Sequence, residues 1–231
     1  MENYEYYYNN TPDHGLVRNN LIYTSLISKD KKTFVQWYYN DTDYHKGKNQ
    51  IIDKELMAEK WARELCYLNQ MAVHCTNLVP KILDIDLREK KIYLKIDGVD
   101  FWQRSLDANC SFDQILPDWQ DQMLDILQAH KGLGFYKYSL HPSSYFVING
   151  QLKSINYFFS HSADEVQVPL SHFRSHISND RQAKLEGYFA AHNLSWDSVL
   201  PYDVLQQMTF ESFRSNYPDD FIERAKKIYV S

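Results

Sequence analysis

The 231-residue sequence is short of cysteine, of basic charge and of long apolar runs, and each shortage removes a class of protein. Its three cysteines, Cys66, Cys75 and Cys110, show no Cys-x-x-Cys spacing. Cys66 falls inside an expected helix, where a reduced and partly buried thiol fits, and a cytosolic compartment follows. Lys and Arg total 25 against 30 Asp and Glu, a net charge of −5, and no basic block stands out, which disfavours a nucleic-acid backbone as partner. No apolar stretch approaches the roughly 20 residues that span a bilayer. Met1-Glu2-Asn3-Tyr4 lacks the basic flank and apolar core of a signal peptide. The chain therefore reads as soluble and cytoplasmic, without a transmembrane segment, internal repeat or low-complexity tract.

What is present describes an ordinary globular chain, 44% hydrophobic and 24% charged, long enough for one domain or two intimate lobes. Tyrosine is abundant, at 18 residues. A tyrosine has a large contact area and a polar end, so the excess fits either an aromatic core or a partner-binding surface.

Along the chain, residues 1–14 are rich in Asn and Tyr and read as an irregular arm. Leu16–Arg18, Leu21–Ile27 and Thr33–Tyr39 read as strands of a meander, with turns at Asn19-Asn20 and Ser28–Lys32. Asp53–Ala72 carries Met57, Trp61, Leu65, Leu68 and Ala72 at helical spacing. Val79–Asp86 and Lys91–Asp97 form a strand pair, and Asp97-Gly98 breaks the pattern. A short helix is expected over Phe101–Leu106. Asp118–Lys131 is amphipathic, with Trp119, Met123, Ile126, Leu127 and His130 on one face, and is closed by Gly132 and Gly134. Tyr145–Ile148 and Leu152–Phe158 flank Asn149-Gly150, a strong hairpin signal. Further helices are expected over Arg181–His192, Val204–Phe213 and from Pro218 onward.

Between the Gly134 helix end and the Asn-Gly hairpin lies Ser139-Leu140-His141-Pro142-Ser143-Ser144. This segment resembles the catalytic segment of the protein-kinase-like superfamily, where an Asp-x-His-Pro-x-Asn loop leads through a hairpin to an Asp-Phe pair. The order of meander, helix, strand pair, hinge, helix, loop and hairpin extends the resemblance over residues 15 to 158. It implies an α+β, two-lobed fold: a small antiparallel-sheet lobe over 15–97, and a reduced, mainly helical lobe over 98–231. Ser139 then stands at the catalytic Asp position, Ser144 at the metal-binding Asn and Asn156 at the metal-binding Asp. Gln36 or Trp37 replaces the strand Lys, Glu64 matches the helix Glu with the Gln36 amide as its expected partner, and His141 is the structural His of His-Pro. Only Gly15 lies near the first strand link, which is too short for a glycine-rich phosphate cradle.

Phosphoryl transfer needs positioned phosphates, a metal and a group that handles the nucleophile's proton. A neutral Ser is no base near pH 7, and Asn156 offers a hard cation only a carbonyl oxygen. The resemblance thus implies a pseudokinase with no ATP, cofactor or metal, acting in regulation by binding a protein partner such as a kinase or host factor. The oligomeric state stays open. The alternative is an atypical phosphotransferase, or another transferase, using relocated residues in the interlobe cleft. A Ser139–His141 nucleophile pair is weakened by its i, i+2 loop spacing. His172 and His176 stand at i, i+4 spacing with His161 nearby in sequence, but no Glu lies between the first two to complete a ligand set.

Overall fold

The computed structural model describes residues 3–7, 23–38, 54–138, 140–165, 168–176, 179–199 and 216–230. Its architecture is α+β, built on a five-stranded antiparallel sheet. The strands are β1 (Tyr4–Tyr6), β2 (Tyr23–Ser28), β3 (Thr33–Tyr38), β4 (Ile82–Asp86) and β5 (Lys91–Lys95), in spatial order β1-β2-β3-β5-β4. Between β3 and β4 runs helix α1 (Lys54–His74). The β2–β3 turn is held by side chains: Ser28 Oγ accepts from the Lys32 and Thr33 amides, and Asp30 accepts from Ser28. Lys31 completes that turn in the left-handed region at φ 55°.

Alternation on β3 puts Phe34, Gln36 and Tyr38 on one face, and that face meets α1. Tyr38 and Trp61 rings lie 5.3 Å apart. Together with Met57, Leu68, Met71, Ile92 and Leu94 they form the first core cluster. Phe135, Phe146, Ile155, Tyr157 and Phe158 join the same cluster from beyond Gly98.

The rest of the chain contributes α2 (Phe101–Ala108), α3 (Phe112–Ile115), α4 (Trp119–Gly132), α5 (Asn179–His192) and α6 (Asp219–Val230). Two small antiparallel pairs lie among them: β6 (Phe135–Lys137) with β9 (Ser160–Ser162), and β7 (Tyr145–Ile148) with β8 (Gln151–Ser154). The expected face of α4 is buried and packs on α6, with Trp119 5.0 Å from Phe221. The β7–β8 turn has positive φ at both Asn149 (52°) and Gly150 (72°), the geometry an Asn-Gly hairpin favours.

Several expectations need correction. The N-terminal arm is not wholly irregular, because Tyr4–Tyr6 pairs along β2 in register with Leu26–Ser28. The second hairpin strand stops at Ser154, since Asn156 turns the chain at φ 68° and the next two amides leave the ladder. Cys66 is exposed on α1, and Cys75 and Cys110 are half-buried; all three are free thiols. His172 and His176 lie in a 3₁₀ segment, Leu170–His176. Three residues per turn displace an i, i+4 pair by about a third of a turn. The expected Leu16–Arg18 strand, the Val204–Phe213 helix, Gly15, Tyr39 and Ser139 lie outside the described residues. Among those described, no helix is long and apolar enough to cross a membrane.

Candidate functional site

The sequence-selected positions converge where β3, α1 and the β7–β8 hairpin meet. Gln36, Glu64, Ser144 and Asn156 are all fully buried, at 0% exposure. Gln36 interrupts the apolar face of β3 between Phe34 and Tyr38, so its amide must find a partner inside the protein. The partner is Asn156, whose Oδ1 accepts from Gln36 Nε2 at 3.0 Å. Asn156 Nδ2 in turn donates to Ser144 Oγ at 3.0 Å. The backbone closes the same ring, with the Ile155 amide donating to the Ser144 carbonyl at 2.9 Å. Asn is suited to the left-handed conformation that aims this side chain inward.

Gln36 therefore is not hydrogen-bonded to Glu64 as expected. Of the two strand positions left open, Gln36 faces inward and Trp37 turns outward under Lys91, 4.1 Å above its ring. Glu64 Oε2 instead accepts from the amides of Tyr157 (2.5 Å) and Phe158 (2.9 Å). Its cationic neighbour is Lys137, a residue the sequence reading left without a role. Lys137 is fully buried, with its ammonium 4.6 Å from the Tyr145 ring centroid and 5.5 Å from that of Tyr157. Burial pushes Lys137 down to about 7, against the attraction of Glu64. Burial likewise pushes Glu64 up to about 7, against its two amide donors, Lys137 and Tyr38. His130, also buried, is held well below its ordinary value by desolvation and by Lys137. The visible signal for Lys137 was its place in Phe135-Tyr136-Lys137-Tyr138, a lysine flanked by aromatics on a short strand.

His141 is a structural cap. Its Nδ1 accepts from the Ser143 amide at 3.2 Å and lies 2.9 Å from Ser143 Oγ, while the ring sits edge-on to Trp102. The same nitrogen is therefore committed to Ser143. Arg63, next to Glu64 on α1, adds a second anchor. It donates to the Ser160 carbonyl at 2.9 Å and to both oxygens of Glu165 at 3.0 and 2.8 Å. Burial would raise Glu165, but Arg63 and the Ser162 amide outweigh it and lower the carboxyl. His161 is pushed to about 4 by burial and by Arg63 and Lys60. Sequence alone gave no pointer to Arg63–Glu165, whose members lie far apart in the chain.

The arrangement pairs most of these polar groups internally, although Gln36 Oε1 is buried with no hydrogen-bond partner among the described residues. Gln36 Nε2 bonds to Asn156 and Asn156 Nδ2 to Ser144, and the acidic residue that could bind a cation holds backbone amides. No family model matches the chain, and no curated protein matches its sequence. Among solved structures, the crystal structure of monomeric WbdD overlaps 89% of this chain and 48% of its own, with 11% identity and a TM-score of 0.49. The chain thus spans about half the length of that protein.

Proposed function

We propose that the protein is a catalytically inactive, kinase-like protein that acts by binding another protein. In this reading residues 15–97 and 98–231 are its two lobes, joined near Asp97-Gly98, and the junction between them is where a kinase would hold its nucleotide. The observation that carries the proposal is the buried Gln36–Asn156–Ser144 chain. Three positions that the resemblance assigns to phosphate and metal binding hold neutral side chains bonded to each other. Opening them for a nucleotide would break those bonds inside the protein and leave buried polar groups unpaired. The partner is a protein such as a kinase or host factor, met through surface rather than cleft.

The test is a thermal melt with ATP and Mg²⁺ or Mn²⁺. A ligand at about 100 times its dissociation constant stabilises by about 2.7 kcal/mol, a rise in Tm of roughly 5–10 °C for a chain of this size. We expect no shift. A metal-dependent rise, with phosphate transfer lost in Ser139→Ala, would replace this reading with the atypical transferase.

A further inference from the structure

Tyr7, at the end of the described N-terminal segment, reaches both β3 and Asp100. The Tyr7 hydroxyl donates to Asp100 Oδ2 at 2.7 Å and lies 3.3 Å from the Asp100 amide, which donates back to it. The Tyr7 ring meets Phe34 edge-on, with centroids 5.8 Å apart, and Phe34 packs on Phe146 at 5.2 Å. Asp100 is 1% exposed; its other oxygen accepts from the Gln103 amide at 2.9 Å. The segment is otherwise held by a three-residue edge strand, by backbone bonds from the Tyr7 amide to the Ser25 carbonyl and from the Lys29 amide to the Asn3 carbonyl, and by Tyr4 set edge-on to Tyr93. Short edge strands are the least securely held parts of a sheet.

These contacts have the form of ligand recognition. An apolar wall, Phe34, receives the ring, and a buried carboxylate beside a backbone N–H reads its polar edge. Such a pairing discriminates by chemistry, because removing the ring takes away the hydroxyl donor to Asp100 Oδ2 inside the protein. We propose that the recess between Phe34 and Asp100 is a binding site for a planar aromatic ring bearing a hydroxyl-type donor and acceptor edge, and that Tyr7 is its resident occupant. Detaching β1 would vacate the site and leave the β2–β5 ladder its own pairing. The site rests on these contacts alone and holds whether or not the chain is kinase-like.

The experiment uses the full chain carrying Tyr7→Ala, melted with p-cresol, which restores the lost ring and hydroxyl, or with toluene, which restores only the ring. Tyr7→Ala should lower Tm, and saturating p-cresol should return about 4 °C or more of the loss. Toluene should return clearly less, and the wild type, its site filled, should respond to neither. Tyr7→Phe, with ring present and hydroxyl gone, should fold, melt lower than wild type and gain nothing from p-cresol. If Tyr7→Ala does not fold alone, refolding yield with p-cresol against toluene gives the same readout. Equal shifts in wild type and variant, equal rescue by toluene, or no loss of Tm in Tyr7→Ala would each overturn the proposal.

Discussion

Asn156 shows how much one side chain does here: it joins β3 through Gln36 and the hairpin through Ser144, from a left-handed backbone. Asn156→Ala would strand the Gln36 amide in a buried site, remove a donor to Ser144 Oγ and place Ala where its backbone is strained. We expect a loss of about 2–4 kcal/mol by urea titration; a loss under about 0.5 kcal/mol would mean the ring of bonds is idle. Glu64 makes a different prediction, in pH. Its carboxyl titrates near 4.5 when unfolded and is raised to about 7 when folded, so the folded state prefers it protonated. Stability from this group is complete below about pH 4.5 and falls as pH rises through 7. Glu64→Gln removes that fall and also takes away the charge that supports Lys137, whose cost then grows toward low pH. Both effects have one sign. Relative to wild type the variant should gain up to about 3 kcal/mol between pH 4.5 and 7. Asp100, raised by burial in the same range, is common to both proteins and cancels. Parallel stability curves would refute the assignment. Gln36 and Glu64 were legible only through the resemblance, as the strand and helix positions it assigns, and the bond expected between them does not form. Lys137 was not, because its partner is 73 positions away and no local pattern pairs them.

Helix α1 is the element through which these residues act together. Glu64 holds the amides of Tyr157 and Phe158, and Arg63 holds Ser160 and Glu165, so adjacent residues of one helix fix successive parts of one segment. The two anchors should separate on mutation. Arg63→Ala should speed hydrogen exchange at Ser162, whose amide depends on Glu165. It should leave Tyr157 and Phe158 protected, because those amides rest on Glu64. Faster exchange at all three would show a single cooperative unit instead of two anchors. Elements with a strong local pattern could be read in advance. The stripe on α4 and the Asn-Gly turn at 149–150 emerge where periodicity and turn chemistry put them. The β6–β9 pair could not be read so, because three-residue strands make no period and their pairing is decided by what α1 pins in place. For β1 the obstacle was similar: its backbone is satisfied by the free edge of β2, which the polar sequence of the arm does not announce.

At the scale of the whole molecule, the first core does not respect the break at Asp97-Gly98. Phe34, Tyr38, Trp61 and Leu94 share it with Phe135, Phe146, Ile155, Tyr157 and Phe158. The second core, around Trp119, Ile126, Leu127 and Phe221, meets the first across the same hairpin: Phe146 faces one and Tyr145 and Val147 the other. A β-strand shared between two cores couples them, since alternate residues cannot be released from one side only. Two lobes in the proposed sense would then still unfold as one. Single-tryptophan variants retaining only Trp61, in the first core, or only Trp119, in the second, report each side separately. Their urea midpoints should coincide within error, as a two-state transition requires. A fragment ending at residue 97 should remain unfolded, because it lacks five large side chains of its own core, each worth about 1.5–3 kcal/mol when buried. That exceeds the few kcal/mol by which small domains are stable. A cooperative melt of the isolated fragment, or midpoints for Trp61 and Trp119 that differ clearly, would show instead that the sheet with α1 folds by itself and that the shared hairpin is a contact rather than a joint.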